Sequence, residues 1–229
     1  MSNNILEIID LKTHFFTDEG TVRAVDGVNL TIGEGESVGL VGESGSGKSM
    51  TAFSILRLVP SPPGRIVSGR ILLKGQDLLQ LSEKEMRRVR GKKISMIFQE
   101  PSTSMNPSFT IGSQIEEAIR YHQGGRASQV RVKALEILQA VRISDPGRIL
   151  SQYPHELSGG MLQRVMIAIA LSCEPDLLIC DEPTTALDVS TQAQIIDLLN
   201  ELRRQRKTSF LFITHDLGVL SWVCSYAAV

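Results

Sequence analysis

Apolar and polar positions change rhythm several times along this chain, and each change predicts an element. Residues 5–11 and 22–32 (VRAVDGVNLTI) alternate and are rich in β-branched side chains. That pattern predicts antiparallel strands, with turns at Asp18–Gly20 and Gly33–Gly35. SVGLVG (37–42) is a short apolar run entering a glycine-rich turn. SMTAFSILRLV (49–59) then has helical spacing until the prolines and glycine of PSPPGR (60–65) break it. SGRILLKGQDL (68–78) reads as another strand pair. Ser82 with Glu85 three residues later is a capping box opening a short helix over 83–90. KISMIFQ (93–99) returns to strand spacing.

From Pro101 to about Leu150 the strand signals disappear, and helical patterns such as IGSQIEEAIRYH and ASQVRVKALEILQAV take over. A helix over 158–172, a strand DLLICDE (176–182), a helix over 190–205 and a strand SFLFITH (209–215) follow. Strand and helix in alternation, with buried apolar runs as strands, predict an α/β fold around a parallel sheet. The N-terminal part is antiparallel, and the helical middle reads as an inserted subdomain. No internal repeat or low-complexity segment appears.

Composition narrows this little. The chain has 229 residues, 42% hydrophobic and 21% charged, enough for one or two domains with a real core. A net charge of −1 gives no bulk field toward nucleic acid or an anionic membrane. The basic runs RRVRGKK (87–93) and RRQRK (203–207) read as solvated helix ends. Cys173, Cys180 and Cys224 form no CxxC pair, and in their apolar stretches Cys173 and Cys180 read as buried, inert thiols. MSNNILEIID has no basic region followed by an apolar run, so no signal peptide is expected. VMIAIALSC is too short to span a bilayer, so the expected place is the cytoplasm, with any membrane docking through another subunit.

Chemistry enters at GESGSGKS (42–49), which fits GxxxxGK[ST] at every fixed position between an apolar strand and a helix. Gly42, Gly45 and Gly47 let the backbone wrap closely, so that N–H groups point at phosphate oxygens. Lys48 brings positive charge to the β- and γ-phosphates, and the Ser49 hydroxyl suits Mg²⁺, which prefers oxygen ligands. The expected ligand is a nucleoside triphosphate. Leu177 to Cys180 lead straight into Asp181 and Glu182, placing two acids at the carboxyl end of a buried strand, where α/β sheets bind ligands. Asp181 suits the Mg²⁺ shell. Glu182 is directed elsewhere and suits a general base for the attacking water. Gln99, ending ISMIF, suits both Mg²⁺ and that water. His215, ending FLFIT, suits the γ-phosphate or the water. His14, His122 and His155 have no such context.

LSGGMLQ (157–163) is less easily read, because glycine costs roughly 1 kcal/mol against alanine inside a helix. A serine and two glycines at a helix start form a second candidate anion grip on a chain that already carries one. Together these segments resemble the ATP-binding cassette (ABC) ATPases. GESGSGKS looks like the Walker A, LLICDE the Walker B, LSGGMLQ the signature, FQEP (98–101) the Q-loop, ALD (186–188) the D-loop and THD (214–216) the switch histidine loop. The similarity runs from about residue 5 to the last residues. It implies a P-loop NTPase, RecA-like core with a parallel sheet, an antiparallel β subdomain and a helical subdomain. One ABC ATP-binding domain would fill 1–229, with 1–100 and 173–229 as core and 101–172 as helical subdomain including the signature helix.

The resemblance implies catalytic roles for Glu182, His215, Gln99 and Lys48. It implies nucleotide contacts from Gly42, Glu43, Ser44, Gly45, Ser46, Gly47, Lys48, Ser49 and Met50, with Gln99 and Asp181. Mg²⁺ would lie on Ser49, Gln99 and Asp181. An aromatic stacks on adenine in this family, and Phe15 fits by spacing with Phe16 as the alternative. Two cassettes would face each other head to tail, so that Ser158, Gly159 and Gly160 of one meet the γ-phosphate held by the other, with Asp188 passing information between sites. VGESGSGKS, MIFQEPSTSMNP, YPHELSGG and DEPTTALDVSTQAQI are similar to dipeptide/oligopeptide importers, a group that also serves glutathione and nickel. Such subunits pair with a second ATPase subunit, two permeases and an extracytoplasmic binding protein at the cytoplasmic face of the cell membrane, with no nucleic acid. STSMNPSFT is the expected permease contact. Two departures stand out: Leu162 replaces a commonly basic residue, and the chain stops at CSYAAV, where the family continues. A non-transport ABC ATPase of repair or translation is the rival reading, and an ordinary P-loop kinase has no use for LSGG.

Overall fold

The computed structural model describes residues 4–185 and 187–229. Two compact units divide the chain: Met1–Arg90 together with Lys207–Val229, and Gly91–Arg206.

In the first unit, β1 (Asn4–Thr17) pairs antiparallel with β2 (Gly20–Gly33) on one side and with β4 (Gly64–Leu73) on the other, and β5 (Gln76–Asp77) completes the sheet. The β1–β2 hairpin runs longer than its alternation suggested because a bulge breaks the period. Asp10 is left-handed (φ 44), and the ladder slips between Ile8 and Leu11. Across the bulge, Gly69 of β4 also has positive φ (102), and a Cβ there would lie 2.6 Å from the Asp10 carbonyl oxygen. Only glycine permits that approach.

β3 (Ser37–Val41) carries a parallel neighbour on each side, β8 (Ser209–Thr214) and β9 (Tyr226–Ala228). α1 (Lys48–Ile55) ends sooner than the 49–59 spacing suggests, since Arg57 turns left-handed (φ 51) before the prolines. Its inner face is tied to β1 by a buried Thr13–Ser54 hydroxyl pair at 2.8 Å. α2 (Glu83–Val89) has the predicted capping box: Glu85 N–H donates to Ser82 Oγ, and Ser82 N–H to Glu85 Oε2. α9 (Leu217–Val223) and β9 were not legible in the pattern. Gly39 in β3 is where α9 seats, since a Cβ there would lie 2.8 Å from Leu220 Cδ1.

In the second unit, β6 (Ile94–Ile97) and β7 (Leu177–Asp181) pair in parallel, Ile94 opposite Leu177 and Ile97 opposite Cys180. Every residue of β7 is buried, which is why it reads as a continuous apolar run. The helices are α3 (Pro101–Ser104), α4 (Ile111–Gln123), α5 (Ala127–Ala140), α6 (Pro146–Ser151), α7 (Gly159–Leu171) and α8 (Val189–Gln205). Ile111, Ile115 and Ile119 put one stripe of α4 inside. α7 is buried over most of its surface, Leu162 included at 6% exposure. Each of its buried Leu, Val, Met and Ile side chains contributes roughly 1.5–3 kcal/mol on burial, enough to outweigh the cost of the two glycines that open the helix.

The basic runs are not merely solvated. Arg90 donates to the carbonyls of Leu56 (2.7 Å) and Arg57 (3.1 Å) and pairs with Glu83 at 2.6 Å. Arg206 donates to the Leu171 carbonyl. Burial pushes the Cys173 thiol up, in keeping with an inert core cysteine. Among the described residues no helix is long and apolar enough to cross a membrane.

Candidate functional site

In the first unit, β3 delivers the chain into the glycine-rich loop, and Gly47 (φ 93) caps α1 in the left-handed region. Gly45 is left-handed too (φ 83). A Cβ on Gly47 would sit 2.1 Å from the Ala24 carbonyl oxygen of β2, and one on Gly42 would sit 2.7 Å from Ser46 Oγ. Gly47 is therefore demanded by close backbone approach as well as by torsion, Gly45 by torsion alone, and Gly42 by the nearby Ser46 hydroxyl. No side chain caps α1, so the loop itself presents the helix's N–H end and its positive dipole. Lys48 is 8% exposed, and its Nζ donates to the carbonyls of Gly42 and Glu43, each at 2.7 Å. That ammonium is pinned over the loop in a desolvated place, where a phosphate is the fitting counter-ion. Ser49 and Met50 follow in the first turn of α1.

His215 leaves β8 at the same end of the parallel ladder, since Thr214 lies opposite Val41, one residue before Gly42. It is exposed, and Asp216 beside it caps α9 by accepting from Gly218 N–H at 2.7 Å. Phe15 is half-buried, with its ring edge toward Gly64, whereas Phe16 is 50% exposed and tilts against His14 on the other face of β1. Phe15 lies opposite Val22 of β2, close along the strand to Ala24, where the loop touches.

In the second unit, β6 and β7 release Gln99 and Asp181–Glu182 at their common carboxyl end. Asp181 is 3% exposed. A carboxylate so buried needs charge or hydrogen-bond compensation. Glu182 is left-handed (φ 45), a strained torsion for a non-glycine residue. Its Oε2 accepts from Gln99 Nε2 at 3.1 Å and from Thr185 Oγ1 at 2.8 Å. Thr185 was missed by the sequence reading; the available signal was a hydroxyl three residues after the glutamate.

Ser158 caps α7, its Oγ accepting from Met161 N–H at 3.4 Å. The two signature glycines differ. A Cβ on Gly160 would lie 2.8 Å from Thr191 Cγ2 of α8, while one on Gly159 finds its nearest neighbour, Leu187 Cδ2, at 3.8 Å. The signature thus lies beside the segment carrying Asp188, which caps α8 by accepting from Thr191 N–H (3.0 Å) and Thr191 Oγ1 (2.7 Å). Those two bonds hold the Asp188 carboxyl below its ordinary range. Ala186, the first residue of the D-loop segment, lies outside the described residues. Leu162 occupies the core where a basic side chain was expected, and Arg164 meets α8 instead, donating to Gln194 Oε1 at 3.0 Å and to the Val141 carbonyl.

A glycine cradle with a pinned lysine, and strand-end acids beside a glutamine, define a phosphate-loop nucleotide-binding protein of the α/β class. Residues 25–185 match the family model described as ABC transporter. The chain is 54% identical over 227 residues to the probable peptide ABC transporter ATP-binding protein y4tR of Sinorhizobium fredii, covering 98% of this chain and 67% of that one. It is 53% identical to the oligopeptide transport ATP-binding protein AppD of Bacillus subtilis (96% and 67% covered) and 50% identical to the dipeptide transport ATP-binding protein DppD of Escherichia coli (95% and 66%). The chain therefore spans about two thirds of the length of these relatives. Among solved structures, the dimeric, post-hydrolysis ATP-binding cassette MJ0796 bound to ADP and Pi superposes with a TM-score of 0.85 at 29% identity, covering 96% and 93% of the two chains. The chain belongs to the ABC transporter family.

Proposed function

We propose that this chain is the ATP-hydrolysing subunit of an importer for peptides or related small solutes, working as half of a head-to-tail cassette dimer. The observation that carries this reading is the contrast between the two glycine-rich helix starts. α1 opens on a left-handed cradle with Lys48 folded over it, whereas the first turn of α7 holds a serine, two glycines and no cation. An anion grip without its own cation is suited to a phosphate that arrives already held. That fits Ser158, Gly159 and Gly160 facing a nucleotide on a second cassette, and the dimeric form of MJ0796 supports it. The names of the relatives support peptide uptake over repair or translation.

In this reading Gly42 to Met50 enclose the phosphates, with Lys48 on the β- and γ-oxygens, and Phe15 stacks on adenine. Ser49, Asp181 and Gln99 offer only oxygen donors and suit Mg²⁺, which when bound offsets phosphate charge. Glu182 takes the proton of the attacking water, and His215 orients the water or the γ-phosphate. Asp188 follows the strand-end acids by six residues and caps the helix that packs on the signature, and it relays the state of one site to the other. The segment STSMNPSFT carries the motion to two permease subunits at the cytoplasmic face of the membrane, and an extracytoplasmic binding protein delivers the solute. Closure with ATP and opening after hydrolysis is a switch driven by γ-phosphate contacts.

The test is Glu182→Gln. Turnover should fall by about 10²- to 10⁴-fold, the usual contribution of a general base. An ATP-bound dimer should accumulate, as seen by light scattering. Normal hydrolysis by this variant removes Glu182 from the mechanism.

A further inference from the structure

We infer that Thr185 is a positioning residue for hydrolysis, holding the Glu182 carboxylate through its hydroxyl; this rests on the reading of Glu182 as the base. Three observations converge. Glu182 has φ 45, so its backbone points the side chain from a torsion that L-residues avoid and that persists only where neighbours over-determine it. Thr185 supplies two such determinants at once. Its N–H donates to the Glu182 carbonyl at 3.3 Å, closing the turn, and its Oγ1 donates to Glu182 Oε2 at 2.8 Å. The threonine is exposed, so its hydroxyl has bulk water as an alternative partner and still bonds the carboxylate.

The residue type fits the task. A β-branched side chain is stiff at χ1, so once the turn is closed the hydroxyl direction is set. A hydrogen bond to a charged acceptor is also stronger than one between neutral groups. Gln99 Nε2 reaches the same oxygen at 3.1 Å, so one donor distant in the chain and one three residues away converge on Oε2. Gln99 arrives from the end of β6, whereas Thr185 belongs to the same turn as the base and follows it wherever that turn moves.

The step served is the attack of water on ATP. The water oxygen bonds to the γ-phosphorus as the bond to the bridging oxygen breaks. ADP leaves with that electron pair, and the water's proton passes to Glu182. A carboxylate that rotates freely spends less time aimed at the water, and the loss falls on the chemical step rather than on ATP binding.

The experiment compares Thr185→Val and Thr185→Ser in the complete protein, with steady-state ATP turnover in Mg²⁺ as readout. Valine keeps the shape and the backbone bond and removes the hydroxyl; Thr185→Ala makes the same deletion if the valine variant does not fold. The expected result is a kcat lowered about tenfold or more, with KM for ATP within about twofold, since one charge-assisted bond is lost from the reacting state alone. Serine should restore kcat to within about threefold. In a Glu182→Gln background the valine substitution should change single-turnover rates by less than about twofold, because its effect passes through Glu182. An unchanged kcat in Thr185→Val, an effect confined to KM, or serine failing as badly as valine overturns the inference. Normal turnover in Glu182→Gln alone instead overturns the reading of the base, so the two failures are distinguishable.

Discussion

The starts of α1 and α7 use the same ingredients, glycine and serine at a helix N-terminus, for different ends. In α1 the glycine at the cap is left-handed and pressed within 2.1 Å (to a notional Cβ) of the Ala24 carbonyl oxygen, and a buried lysine closes the loop. In α7 neither glycine has positive φ and Ser158 supplies an ordinary side-chain cap. Only Gly160 is forced by a neighbour, the Thr191 methyl. Gly159 is required by nothing within the second unit, which is what a residue kept small for an external contact looks like. A glycine's meaning therefore depends on whether torsion, an internal neighbour or open space explains it.

The largest effect should separate the two starts directly. Gly47→Ala drives a Cβ into backbone at a torsion that disfavours alanine, a strain of order 1–3 kcal/mol before the clash is counted. ATP affinity, followed by titration with a fluorescent nucleotide, should fall by about 100-fold or more. Gly159→Ala should leave that affinity within about threefold while lowering turnover. Equal losses of affinity in both variants would erase the contrast.

A smaller effect sharpens the difference inside the signature. Gly159→Ala should raise thermal stability, by about 0.5–1 kcal/mol from helix propensity. Gly160→Ala should lower it by about 1–3 kcal/mol through overpacking against Thr191. Thr191→Ser, which removes the methyl and keeps the hydroxyl that bonds Asp188, should recover most of that loss. Chemical denaturation of the four proteins checks the ordering.

The smallest effect is in acid. Thr191 N–H and Oγ1 hold the Asp188 carboxyl below its ordinary range. A depressed carboxylate contributes stability that is fully present above its unfolded-state pKa and is lost as pH falls through the lower folded value. Asp188→Asn keeps an acceptor at the cap and removes the titration. Its stability should therefore vary less with pH in the acid range than the parent's, as measured by melting temperature against pH; parallel profiles would show that the cap does not titrate with folding.

Much of the candidate site was legible because the chemistry proposed for it depends on local spacing. Lys48, Ser49, Asp181 and Glu182 are named by the runs around them, and a strand flowing into glycine or acid says where it ends. Gln99 and His215 needed the family resemblance, since one amide or one imidazole at a strand end has many explanations. Thr185 was missed because nothing in the pattern tells which oxygen a hydroxyl will choose. The role of Arg90 in binding carbonyls was missed because charge runs carry no sign of burial.

The sequence by itself determined most of the element order up to β8, the parallel α/β character of the core, the phosphate loop and the family. All of these follow from periodicity and from motifs whose parts are close in the chain. Tertiary structure decided which glycine of the signature is packing and which is open, and it turned Glu182 into a left-handed residue held by Gln99 and Thr185. It also showed Leu162 as core and set α9 on Gly39. Each of these depends on a distance between atoms far apart in the chain, or on a torsion, and neither is written in the order of residues.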